Sequence, residues 1–199
     1  TRLSEWSLDG NVFSTDFTVP FAWANRQVLF HLGWASGDYE LRVNGRPAAC
    51  NADGNTPAEF NLTKLTKEGR NSLEIVVAQP SPTAPLESWK EAPRPAIGGA
   101  WVMSQPTLHI RDVITRTRLA EDGSATAEVA VVLKSDALNP RTSRIHYELL
   151  APTGERAAAG HKDFTLDMRR EDTLRFLTRI PLNMLWCAEL PTQYTLRLK

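Results

Sequence analysis

YELRVNGRPAACNADGNTPAEFNLTKLTKEGRNSLEIVV, residues 39–77, is the stretch whose reading decides the fold. It opens with Tyr39, Leu41 and Val43 alternating with Glu40 and Arg42, the period of two that a half-buried strand requires. Asn44-Gly45 follows at once, and both residue types accept positive φ, so the pair predicts a tight hairpin turn. A polar, Gly-containing loop comes next, then a strand beginning near Phe60 and a turn at Glu68-Gly69-Arg70-Asn71. The apolar run Leu73-Glu74-Ile75-Val76-Val77 closes the unit as a buried strand. Everything in the stretch belongs to an antiparallel, all-β sandwich.

Working outward, residues 1–10 read as an irregular entry and 12–19 as a strand stopped by Pro20, which has no N–H to offer a ladder. Residues 27–33 (QVLFHLG) form a short apolar run suited to a strand covered on both faces. From 78 to 99 the chain is dense in proline and poor in apolar residues, which predicts a long loop. Residues 102–112 carry a strand and its exit. In the second half, 125–133, 144–150, 162–166, 173–178 and 193–199 alternate and are separated by turn signals such as Pro152-Thr153-Gly154. That spacing predicts a small immunoglobulin-like sandwich.

The order of motifs resembles the front of the family 2 glycoside hydrolases, the β-galactosidase, β-glucuronidase and β-mannosidase relatives. The residues that carry it are Val43-Asn44-Gly45, Gly54, Pro57 to Thr63, Lys67 to Asn71 and the strand 73–77, with Phe17, Val19 and Pro20 ahead of them. Pro106, Ile110 and Asp112 match the exit of that domain. Leu185, Trp186, Glu189, Pro191, Tyr194 and Leu196 match the family signature near the end of its immunoglobulin-like domain, with Cys187 replacing a serine. The resemblance implies a galactose-binding-like, jelly-roll-type sandwich over 1–111, shortened at its front, and an immunoglobulin-like sandwich over 112–199. It implies packing roles for Trp186 and Tyr194, with Cys187 buried beside Trp186. It also implies that the family's catalytic (β/α)₈ barrel lies outside these 199 residues. Pro82 stands where relatives carry an Asp that reaches the sugar, which argues against that contact.

Composition excludes several classes. Lysines plus arginines equal aspartates plus glutamates at 23 each, and no basic cluster occurs, so nothing points to nucleic acid or an anionic membrane surface. No apolar run approaches the ~20 residues of a membrane span. A soluble protein is expected, its compartment open between periplasmic or secreted and cytoplasmic. Cys50 and Cys187 are expected to be free thiols, and His31, His109, His146 and His161 lack metal-ligand spacing. No cofactor fingerprint is present.

A retaining glycosidase needs two carboxyls roughly 5–5.5 Å apart. In the family both are barrel glutamates, so no catalytic residue is expected here, and Asp38/Glu40 and Glu121-Asp122 read as solvated surface. Asn61-Leu62-Thr63 matches a glycosylation sequon but reads as a structural strand exit. Sugar-binding candidates are the loop-proximal aromatics Trp89, Trp34 and Trp101, because a flat indole stacks on a pyranose face. Three readings follow: the non-catalytic front of a β-galactosidase-like enzyme, partnered by its barrel; a stand-alone carbohydrate-binding or adhesion module; an immunoglobulin-like interaction module.

Overall fold

The alternation at residues 39–43 becomes a strand in which Tyr39, Leu41 and Val43 are buried and Glu40 and Arg42 exposed. The computed structural model describes residues 1–78, 94–180 and 185–199. These divide into two units, Thr1–Pro106 and Thr107–Lys199. Both are built of antiparallel strands, and no α-helix occurs among the described residues. The expected all-β class, one sandwich followed by another, is what the chain adopts.

Unit 1 contains β1 (Ser7–Asp9), β2 (Val12–Val19), β3 (Arg26–Ala35), β4 (Tyr39–Val43), β5 (Arg46–Asn51), β6 (Ala58–Asn61), β7 (Gly69–Val77) and β8 (Ile97–Pro106), with a 3-10 turn at Phe21–Trp23. One sheet runs β1-β2-β7-β4-β5 and the other β6-β3-β8. Their facing sides bury Phe17, Phe30, Leu32, Leu41, Leu73 and Ile75 in one core, which Trp6 and Trp23 flank. Phe60 packs against both sheets: its ring lies 6.4 Å from Phe30 across the β6–β3 pair and edge-on to Tyr39 of β4 at 6.1 Å. The first residues are stitched to β8, Thr1 N donating to Val102 O and Leu3 N to Ala100 O.

The predicted turn forms at Asn44 and Gly45, with φ of 51° and 73°. Asn44 does more than turn the chain. Its Nδ2 donates to Asn71 Oδ1 and to Leu65 O, each at 2.9 Å, while its Oδ1 accepts from Ser72 N at 3.1 Å. Asn71 is 1% exposed. Its Oδ1 also accepts from Lys67 N at 2.9 Å, and its Nδ2 donates to Lys67 O at 2.8 Å and Gly69 O at 2.9 Å. Two amides thus hold the β4–β5 hairpin, the 62–67 loop and the start of β7 together. Gly54 has an equally local reason: a Cβ there would come within 2.7 Å of Ala35 O, and Gly54 O accepts the Ala35 N–H.

Three features depart from the sequence reading. Residues 46–51, read as loop, form β5 and complete the Asn44-Gly45 hairpin; Pro47 and the exposed edge position hide the pattern. Strand β8 begins at Ile97, inside the stretch read as a proline-dense loop, with residues 94–96 preceding it as coil. The rest of that loop, 79–93, lies outside the described residues. A strand also runs through Asp112, the sequence-based boundary.

That strand opens unit 2, which comprises β9 (Leu108–Leu119), β10 (Ala125–Ser135), β11 (Arg141–Leu150), β12 (Arg156–Leu166), β13 (Glu171–Ile180) and β14 (Thr195–Leu198). The sheets are β13-β10-β9 and β12-β11-β14. Val129, Val131, Leu133, Ile145, Leu166 and Phe176 form a separate core, with Tyr147 and Phe176 rings 4.3 Å apart. Cys50 and Cys187 are both free and exposed. The expected burial of Cys187 beside Trp186 is corrected: Trp186 is 64% exposed, because it lines an open groove rather than a closed core.

Asn71→Asp replaces a buried amide that donates to the carbonyls of Lys67 and Gly69 with a group that can only accept. Urea unfolding of unit 1 is expected to show a loss of about 3 kcal/mol, the size of a broken buried network; an unchanged midpoint would show that the amide pair is dispensable.

Candidate functional site

The side of β6-β3-β8 turned away from the core carries a row of polar and aromatic side chains. The register places His31 of β3 opposite Glu59 of β6 on one side and Trp101 of β8 on the other. The His31 and Trp101 rings are stacked, centroids 3.7 Å apart and planes 11° from parallel. His31 Nδ1 donates to Glu59 Oε1 at 3.3 Å. One face of the Trp101 indole is therefore covered by imidazole, and the imidazole is oriented by a carboxylate. Neither His31 nor Glu59 was legible as a site residue in the sequence; only the pairing of three strands brings them to Trp101.

Trp34 belongs to the same outward side, for a reason set by two glycines. Leu32 and Ala35 are both fully buried although they stand three apart, so the alternation of β3 slips between them. The slip falls where Gly33 faces Gly99, whose Cα is 3.3 Å from where a Cβ on Gly33 would sit. Trp34 is thereby turned out, 45% exposed. It rests against bare backbone: a Cβ on Gly98 would approach Trp34 Cε2 to 2.7 Å and Cζ2 to 3.0 Å. Trp34 and Trp101 are thus on one sheet and turned away from the core, each backed by a different neighbour. Trp89 lies outside the described residues. Trp6 and Trp23 pack against the core instead.

An indole seated on glycine, a half-covered indole and a carboxylate can together meet a ring that has one apolar face and hydroxyls at its rim. Stacking supplies the apolar contact and Glu59 accepts from hydroxyls.

The carboxylates that the fold perturbs are set for structure, not proton transfer. Arg70 donates to Asp16 at 2.5 Å and holds its pKa below the ordinary value; Arg144 does the same to Asp163. Asp122 is lowered first by the Ser124 hydroxyl and backbone N–H, then by Arg179. A general acid needs a shift in the other direction. Glu40 pairs with Arg42 at 3.3 Å. Asn61 is used internally: its Oδ1 accepts from Thr63 N and Oγ1, and Thr63 Oγ1 accepts from Val28 N. Among the described residues no group of three or more His, Cys, Asp or Glu could hold a metal ion, and no helix is long and apolar enough to cross a membrane.

Comparison with known proteins bears out the resemblance read from the motifs. Residues 108–199 match the family model for glycosyl hydrolases family 2. A β-galactosidase of Yersinia pestis is 28% identical over 203 residues, covering 92% of this chain and 19% of that protein. A β-galactosidase of Yersinia pseudotuberculosis is likewise 28% identical, with 18% of its length covered. The chain thus spans about a fifth of the curated relatives it matches. Among solved structures, a β-glucuronidase of Bacteroides uniformis superposes with a TM-score of 0.78 at 20% identity, over 94% of this chain and 24% of that one. A β-glycosidase of Bacteroides vulgatus gives 0.69 at 22% identity, over 94% and 23%. These structures share the fold.

The lowered carboxylates of Asp16, Asp122 and Asp163 set an acid dependence. A depressed folded-state pKa contributes stability that is present above the unfolded value, about pH 4, and lost as pH falls through the folded one. The urea midpoint is expected to drop between about pH 5 and pH 2, and Arg144→Gln, which removes the donor to Asp163, to flatten that drop. An identical acid limb in the variant would exclude this pair as a contributor.

Proposed function

Because residues 108–199 match the family model for glycosyl hydrolases family 2, we propose that this chain is the non-catalytic forward portion of a longer retaining glycosidase of the β-galactosidase type. Unit 1 serves as its sugar-binding-type sandwich and unit 2 as its immunoglobulin-like sandwich. Together they shape the substrate cleft and brace a catalytic barrel of the same polypeptide. The observation that carries this reading is the coverage: nearly all of the chain aligns with only about a fifth of its relatives. A segment that accounts for so little of an enzyme's length, and whose perturbed carboxylates are clamped by arginines and serine, is suited to positioning rather than to bond cleavage. Retaining hydrolysis of a terminal β-linked sugar then falls to two barrel glutamates.

The test is activity in two lengths. The full-length protein is expected to hydrolyse a nitrophenyl β-glycoside, with nitrophenyl β-galactoside as the first substrate, and the isolated 199 residues to release nothing above background. Turnover by the short chain, or an open reading frame with no barrel, would overturn the proposal.

Trp34 favours a second reading, in which the outer side of β6-β3-β8 binds carbohydrate unaided. An indole half exposed over Gly98 is poised for stacking on a pyranose ring. Titration of the isolated chain with galactosides, glucuronides and mannosides should then quench or shift tryptophan emission at millimolar sugar. Trp34→Ala should abolish that response. A flat titration with all three sugars removes this reading and leaves the first untouched.

A further inference from the structure

The spacing of the four histidines along the chain predicts no metal site, yet the pairing of β11 with β12 sets His146 directly opposite His161. Both are exposed, while Ile145 and Leu149 of the same hairpin are buried. The two imidazoles therefore share the side of β12-β11-β14 turned away from the core. The backbone makes them a close pair. His146 N donates to Lys199 O at 2.8 Å, and His146 O accepts from Lys199 N at 3.0 Å. Both backbone groups of His146 thus point toward the β14 side. That leaves His146 and His161 as a non-hydrogen-bonded pair, the kind whose Cα atoms come to about 4.5 Å and whose side chains lie nearest. Their ring centroids are 5.7 Å apart, with planes tilted by 40°.

The register that brings them together is fixed on both sides of the sheet. Inward, Tyr147 lies across Gly160, where a Cβ would come within 2.6 Å of the ring, and packs on Phe176. Outward, Thr142 bonds Thr165 at 2.9 Å and Arg144 grips both oxygens of Asp163, at 2.5 and 3.0 Å. A slip of one residue would send one histidine to the core side. Among the described residues neither imidazole is committed to a hydrogen bond, whereas its neighbours in the row are. We propose that His146 and His161 form a two-imidazole chelate for a divalent transition-metal ion, Cu²⁺, Ni²⁺ or Zn²⁺, each ring giving one nitrogen and water completing the coordination. Because both rings are exposed, rotation of the side chains is enough to close them on one ion. Arg156, Arg197 and Lys199 line the same concavity, and Glu148 is paired with both guanidiniums, at 3.0 and 3.7 Å. That surplus of positive charge repels an ion held by charge alone. Mg²⁺ and Ca²⁺, which want oxygen ligands, are rejected, whereas imidazole takes the softer ions by coordination. Metal bound here cross-links β11 to β12.

The test is isothermal titration calorimetry of the chain carrying Cys50→Ser and Cys187→Ser, which takes two exposed thiols out of the competition for metal. One Cu²⁺ per chain is expected, with Ni²⁺ bound more weakly and Mg²⁺ and Ca²⁺ not at all. The electron paramagnetic resonance spectrum of the bound Cu²⁺ should carry the splitting of two nitrogens. His146→Ala and His161→Ala should each weaken Cu²⁺ binding at least about 100-fold, since the second ring acts at high effective concentration. The double variant should lose little more than either, as expected of groups that act as a unit. Both positions are exposed, so the metal-free urea midpoint should stay where it is, and His109→Gln should leave binding unchanged. Binding that survives both substitutions, or that is lost with only one of them, would overturn the chelate. So would a urea midpoint raised by inorganic phosphate with no response to Cu²⁺, which would assign the concavity to an anion. The chelate does not depend on the reading of this chain as part of a longer enzyme.

Discussion

The amides of Asn44 and Asn71 are the constraint on which unit 1 depends. Asn71 sits at 1% exposure and uses both sides of its amide, accepting from Lys67 N and Asn44 Nδ2 while donating to two carbonyls. A buried amide left unpaired costs free energy, whereas a saturated one defines a single geometry. Here that geometry joins a hairpin, a loop and the start of the central strand β7. Strand β7 in turn pairs with both β2 and β4. The register of the larger sheet, and therefore which side chains reach the core, follows from where these two amides meet.

This is why the most legible part of the sequence was residues 39–77. Strand β4 shows its alternation plainly because one face is buried and one is wet, and the Asn-Gly pair announces its turn. The strands that escaped notice lie at edges. β5 carries Pro47 and exposed residues; β9 reads as Thr-Arg-Thr-Arg because most of its residues are exposed. An edge strand has less burial to enforce a pattern, so its sequence looks like a loop. The end of the chain shows the converse. Its signature aromatics read as core, yet Trp186 stands exposed along the groove it lines, since a motif of large rings does not say whether the strands around it close over them.

The outward side of β6-β3-β8 was legible in its tryptophans but not in its arrangement. Composition names Trp34 and Trp101. Only pairing reveals that His31 stacks on one and that glycine underlies the other. The slip of alternation at Gly33 is invisible to a period-of-two reading, which would have sent Trp34 inward. The side chains of this surface are held by strands rather than by loops, so their geometry is stiff.

The two outer strands of the larger sheet in unit 1 carry one more consequence. β1 is only Ser7–Asp9, all exposed, and β5 bears Pro47 together with a register shift opposite Leu41 and Arg42. A short border and a border interrupted by proline both deny a passing polypeptide the continuous run of N–H and C=O groups it would need to append itself. The larger sheet of unit 1 is therefore guarded at both rims against the cross-β recruitment that leads to insoluble aggregates during synthesis, when neighbouring nascent chains are crowded together.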